Sequence, residues 1–244
     1  MKPFLLIATR PEDETADAEY EQFLRRGELE TRELHHLRLD KAPMPSSLDV
    51  HDYSGIMLGG SPFTGSIPPQ HKSDTQVRVE HELGRLMDVL VAEDHPFLGA
   101  CYGVGTLGSH QGALIDSTYA EEISAPTLRL TDDGATDPLL DGVPESFRAY
   151  VGHKEAITRL PASATLLVTA DACPVQMFRV KENLYGTQFH PELNEAGILQ
   201  RIRVYRDAGY FDPAEQERVE AQVRGVDSEP AALVIRNFVA RYAR

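Results

Sequence analysis

The spacing of apolar residues divides the chain into two styles. In the first 110 or so positions, strand-like runs alternate with helical periods. Phe4-Leu5-Leu6-Ile7-Ala8 is apolar without a break, as a parallel strand covered on both faces would be. Residues 12–26 read as a helix, acidic at the start and ending in Arg25-Arg26, the order the helix dipole favours; Gly27 stops it. Residues 33–39 predict a second strand, and 41–48, with Pro43 and Pro45, a loop. A third strand, 54–58, runs into Gly59-Gly60-Ser61-Pro62, and 63–71 is irregular. Over 74–93, Val77, Leu83, Leu86, Met87, Leu90 and Val91 recur close to helical spacing, with His81 on the side of that helix. Phe97-Leu98 is a fourth strand. This alternation predicts an α/β fold: an open, mostly parallel central sheet with helices on both faces.

From about residue 112 the style changes. Residues 112–130 are rich in β-branched side chains and have no helical period, and 131–144 carries the turn signals Asp132-Asp133-Gly134, Asp137-Pro138 and Gly142. Short runs at 147–151, 165–170, 174–180 and 184–189 predict further strands, several of them antiparallel. Three helices follow at 195–208, 213–224 and 229–242, with Asp212 as an N-cap before Pro213. The last one places Leu233, Ile235, Phe238 and Val239 to pack on the sheet. No repeat or linker interrupts the chain, so 1–244 reads as a single domain: a core over 1–195 and a C-terminal helical extension over 196–244.

Composition narrows the partners. A length of 244 residues suits one large α/β domain. The net charge of −14, with no basic stripe, predicts no nucleic-acid partner. No apolar run approaches the roughly 18–20 residues of a membrane span. The N-terminal run meets Arg10 and an acidic stretch at once, which favours a strand over a signal peptide. Two cysteines, Cys101 and Cys173, imply no disulfide framework and fit a reducing, cytoplasmic setting. Nothing has metal-ligand spacing, so no metal is expected, and Cys173, just before Pro174, reads as structural.

Cys101 reads differently. Gly99-Ala100-Cys101-Tyr102-Gly103 joins the fourth strand to a helical segment in the form of a nucleophile elbow, where a strained turn needs small neighbours. A thiol at a helix N-terminus is expected to have a depressed pKa, with a rate that rises with pH through it. Far downstream, the strand 184–189 ends in His190-Pro191-Glu192, a base with a carboxylate two residues on to orient it. Either motif alone fits an ordinary turn; together they point to acyl transfer.

Gly59-Gly60 after a strand, Gly99-Ala100-Cys101-Tyr102-Gly103 and Gln188-Phe189-His190-Pro191-Glu192, in this order, resemble the class I (triad-type) glutamine amidotransferases. The likeness is greatest to small stand-alone proteins similar to the amidotransferase domain of GMP synthase, and spans about residues 1–195. Gly152-His153-Lys154-Glu155-Ala156 is a weaker shared feature. The resemblance implies that Cys101 attacks the side-chain amide of glutamine, that His190 manages the protons and that Glu192 orients His190. The oxyanion and substrate would be held around Gly59, Gly60, Ser61, Tyr102, Gly105 and His153. Backbone N–H groups of Gly60 or Ser61 and of Tyr102 would stabilise the oxyanion, at about 3 kcal/mol per donor. A γ-glutamyl thioester would form and hydrolyse to glutamate without metal or organic cofactor.

The resemblance also implies an acceptor for the ammonia. No nucleotide-binding loop is present, so the acceptor would be a separate synthase subunit; a homodimer stays open. Gly105 stands where the family carries a glutamine that helps to hold substrate, which implies a roomier site or a different amide. The alternatives are a γ-glutamyl hydrolase or peptidase, or a low-turnover regulatory homologue.

Overall fold

A computed structural model describes residues 2–244. Its first half follows the alternation: β1 (Phe4–Ala8), α1 (Asp13–Gly27), β2 (Leu34–Arg38), β3 (Ile56–Leu58), α2 (Asp74–Glu93), β4 (Phe97–Ala100) and α3 (Tyr102–His110). Short strands fill the second half: β5 (Leu114–Asp116), β6 (Glu121–Ser124), β7 (Thr127–Leu130), β8 (Ser146–Arg148), β9 (Val151–His153), β10 (Ala156–Arg159), β11 (Ala164–Thr169), β12 (Met177–Val180) and β13 (Leu184–Thr187). The chain closes with α4 (Glu195–Val204), α5 (Gln216–Val223) and α6 (Glu229–Tyr242).

The main sheet has nine strands in the order β2-β1-β3-β4-β13-β12-β11-β7-β8. From β2 to β13 every pairing is parallel; from β13 to β8 every pairing is antiparallel. Side-chain alternation along β1 shows how both faces are covered. Phe4 and Leu6 join Phe23 and Leu24 of α1 and Val234, Ile235 and Phe238 of α6 in one core cluster. Leu5 and Ile7 join Val79, Leu83, Leu86 and Leu90 of α2 and Leu107 of α3 in the other. A third cluster seats α4 and α5 on β6 and on Tyr150 through Ile198, Ile202, Val219 and Val223.

The sequence pattern differs from the structure at two places. The run 147–151 is not one strand but parts of two: β8 ends the main sheet, and β9 pairs instead with β6. Ala149 and Tyr150, both fully buried, carry the chain from one to the other, so burial alone made the run look continuous. Strand β10, which pairs with β5, had no visible signal because only Ala156 and Ile157 of its four residues are buried.

Candidate active site

Register brings the distant motifs together. Leu58 of β3 lies beside Gly99 of β4, and Ala100 beside Thr187 of β13. Gly59-Gly60, Cys101 and Gln188 to His190 therefore leave the sheet side by side at the carboxyl ends of adjacent parallel strands, where open α/β sheets hold ligands. Arg10, two residues beyond the end of β1, comes to the same edge.

Cys101 sits in the turn between β4 and α3 at φ 53° and ψ −87°, a strained conformation for a residue with a Cβ. Its N–H bonds Thr187 O at 2.7 Å, pinning the elbow to β13. A Cβ on Gly99 would fall 2.6 Å from Gly103 Cα, so the turn closes only with hydrogen there. The thiol accepts a long hydrogen bond from Gln188 Nε2 at 3.9 Å. Its pKa overturns the expectation from helix position. Burial pushes it up to about 12, and the opposing pull of Arg10 and Arg201 is too small to reverse that. The resting group is a thiol.

His190 and Cys101 line one small cavity together, without a direct hydrogen bond between them. His190 Nδ1 lies 2.8 Å from Glu192 Oε1, and both side chains are buried. Burial pushes the imidazole pKa down, Glu192 works against this, and Arg201 adds to it, so the ring is neutral. Burial acts to raise the Glu192 pKa, but His190 and Arg201 together hold the carboxyl below the usual range.

Sequence reasoning missed the charges behind this pair. Arg201 of α4 places Nη1 2.9 Å from His190 Nδ1, and Nη2 3.0 Å from Glu192 Oε1 and 2.9 Å from Glu19 Oε1. Glu19 Oε1 also accepts from Arg10 Nε at 3.0 Å and from Gly60 N at 3.2 Å. Arg10 Nη1 donates to the Tyr205 hydroxyl, which donates to Glu12. Two buried arginines thus balance Glu19 and Glu192. The crowding explains the glycine pair: a Cβ on Gly59 would lie 2.2 Å from Glu19 Oε2, and one on Gly60 2.4 Å from Arg10 Nη2 and 2.9 Å from His190 Cε1.

The backbone donors at the site separate clearly. Gly59 N–H is used by Ile7 O at 3.0 Å, and Gly60 N–H by Glu19. Tyr102 opens α3, so its N–H has no acceptor within the helix. Ser61 is buried, lines the cavity with Cys101, and donates its N–H to no acceptor among the described residues. His153 also lines that cavity, but its ring is engaged: Nε2 bonds Glu121 Oε2 at 2.9 Å, and Nδ1 faces Glu155 O at 3.1 Å. Folding also brings the buried Cys173 near this pair, the ligand atoms of all three lying within 4.8 Å of one another. Glu121 Oε2 is held in addition by Gln176 Nε2 at 2.8 Å. Sequence spacing gave no hint of the trio, because β6, β9 and the approach to β12 each supply one member. Gln188 belongs to a motif already read for its histidine, whereas Tyr205 and Tyr210, which line the cavity of His190, had no signal.

Among the described residues no helix is long and apolar enough to cross a membrane. Residues 18–197 match the family model "Glutamine amidotransferase class-I". The chain is 27% identical over 232 residues to a glutamine-hydrolysing GMP synthase of Neisseria meningitidis serogroup C, covering 85% of this chain and 42% of that one. It is 24% identical over 169 residues to the glutamine-hydrolysing subunit of the GMP synthase of Methanosphaera stadtmanae, covering 67% and 81% respectively. The full-length synthases are thus matched over less than half of their length. A glutamine amidotransferase structure from Thermotoga maritima superposes with a TM-score of 0.76 at 19% identity over 99% of this chain and 98% of that one, which shows a shared fold. The chain belongs to the class I glutamine amidotransferases.

Proposed function

We propose that the protein is a cysteine amidohydrolase that releases ammonia from the side-chain amide of glutamine through a γ-glutamyl thioester. The observation that carries this is the meeting of Cys101 and the bonded pair His190–Glu192 at one cavity on the carboxyl edge of the sheet. With Nδ1–H donated to Glu192, the His190 Nε2 lone pair is the free base. It takes the thiol proton as Sγ attacks the amide carbon. The N–H groups of Ser61 and Tyr102 receive the oxyanion, Ser61 taking the part that Gly60 cannot while it is bonded to Glu19.

The C–N bond then breaks as His190 returns the proton to the departing nitrogen, giving ammonia and the thioester. Water, deprotonated by the same imidazole, hydrolyses the thioester to glutamate and restores the thiol. A thiol with a pKa near 12 beside a neutral imidazole needs this concerted transfer, since no thiolate stands ready.

Arg201 acts here as a positioning residue. Its charge opposes an imidazolium at rest and keeps His190 in the base form, while its contact with Glu192 fixes the carboxylate that aims the ring. The ammonia would pass to a separate synthase; the match to a relative named as a GMP synthase subunit supports this reading. The test is direct. Purified protein incubated with glutamine should release glutamate and ammonia in equal amounts, and Cys101→Ala should release neither. Absence of release from glutamine, alone or with cell extract, would refute the glutaminase reading.

A further inference from the structure

The space around Cys101 is lopsided. On the His190 side, among Arg10, Ser61, Arg201 and Tyr210, the cavity holds about 20 Å³, little more than one water needs. The leaving nitrogen must sit there to receive its proton from His190, so the leaving group is no larger than ammonia. On the other side, past Tyr102 and Gln188, the acyl pocket is itself small, about 30 Å³, but it does not end there. Its walls at Tyr102, Gly105, Ile115 and Glu155 are shared with a compartment of about 200 Å³ between α2 and α3.

Gly105 stands at the junction. It lies one helical turn beyond Cys101, on the same face of α3. A Cβ there would meet nothing closer than Glu155 Oε1, at 3.9 Å. The space for a side chain exists and is left empty, so the acyl pocket opens into the larger room. That room has a charge sign. Its walls include the carboxylates of Glu80 and Glu155 and the His110 ring, which is bonded to Asp88 at 3.0 Å. Glu155 accepts the N–H groups of Gly65 (2.7 Å) and Ser66 (2.8 Å), and Glu80 binds Lys72 at 2.7 Å. One lysine against two glutamates leaves the compartment net negative.

We infer that this site takes a primary carboxamide whose acyl part is longer than glutamine, namely a glutamine extended at its α end by a group that carries an amine or guanidinium. The side-chain amide reacts at Cys101, the leaving ammonia occupies the small cavity beside His190, and the extension passes Gly105 to end beside Glu80 and Glu155. This rests on the acyl-transfer reading of Cys101 and specifies its substrate.

The experiment compares ammonia release from glutamine, glutaminyl-lysine, glutaminyl-glycine and glutaminyl-glutamate by the wild type, Gly105→Gln and Glu80→Gln. In the wild type, kcat/KM should be highest for glutaminyl-lysine and should exceed that for glutaminyl-glutamate by about fivefold or more, the scale of partly exposed charge pairs. Gly105→Gln should lower the ratio of glutaminyl-lysine to glutamine turnover by about tenfold or more by closing the passage. Glu80→Gln should narrow the gap between the lysyl and glutamyl substrates. If free glutamine is the best wild-type substrate, or if Gly105→Gln lowers all four alike, the extended-substrate inference fails while the acyl-transfer reading survives. If none of the four releases ammonia, both fail.

Discussion

Arg201 ties the catalytic pair to the rest of the buried charge. Its guanidinium is 6% solvent-exposed and contacts Glu192 at 3.0 Å, Glu19 at 2.9 Å and the His190 ring at 2.9 Å. Glu192 Oε2 and Glu19 Oε2 have no hydrogen-bond partner of their own, so each carboxylate depends on what its Oε1 binds. Arg201→Met removes one cation from two buried carboxylates; Glu19 keeps Arg10 at 3.0 Å, and Glu192 keeps only the neutral His190. Removing one partner from a buried ion pair costs about 3–5 kcal/mol, because the remaining charge is left uncompensated. For a chain of this size that corresponds to roughly 6–20 °C in Tm.

The same change removes a charge that disfavours the imidazolium, so the His190 pKa should rise. The acid limb of kcat/KM should then move to higher pH, which a merely structural role would not produce. Thermal unfolding and a pH–rate profile on Arg201→Met and Arg201→Lys read both effects, the lysine recovering part of each. Adding Glu19→Gln to Arg201→Met should restore part of the stability by removing the second orphaned charge. A Tm within about 2 °C of wild type together with an unmoved acid limb would refute the reasoning.

Other outcomes follow from the same geometry. Alkylation of Cys101 by iodoacetamide should be slow at neutral pH and climb steeply from pH 9 toward 12; a midpoint below the ordinary thiol value of 9 would contradict burial as the dominant influence. Because that thiol ionises later in the folded chain than in the unfolded one, its contribution to stability should be intact below pH 9 and be lost as pH rises toward 12, as alkaline unfolding curves of wild type and Cys101→Ala can show. Gly60→Ala places a methyl 2.9 Å from His190 Cε1 and should lower kcat/KM by about 100-fold through displacement of the ring; a loss of less than threefold would show that the close approach is unimportant. On the acid side, the lowered pKa of His190 favours unfolding as pH drops below 6.5, and the lowered pKa of Glu192 favours it below the ordinary glutamate value of 4.5. Urea midpoints should therefore fall in both windows, and His190→Gln should flatten the first.

What the sequence disclosed follows the range over which each interaction acts. Helices α2 and α6 were legible end to end because one face of each is apolar at a regular period, and that period is a local property. The elbow and the His190–Glu192 pair were legible for the same reason: their geometry is set within five residues of chain. The run 147–151 was misread because burial on both sides of a sheet change looks like one strand. The Arg10–Glu19–Arg201 cluster was invisible because its members meet across as many as 182 residues. The thiol pKa failed similarly: a helix N-terminus can be read locally, but the burial that outweighs it is built from distant segments and cannot. Where the sequence showed a missing glutamine at Gly105, only the fold could show what lay behind the gap.

The most direct test of acyl transfer at Cys101 is the mass of the protein after rapid quenching in acid with its amide substrate. A population heavier by one acyl group is expected, located by peptide mapping on Cys101 and absent from Cys101→Ala. Ammonia release without any adduct on Cys101, or with the acyl group on another residue such as Cys173, would contradict it.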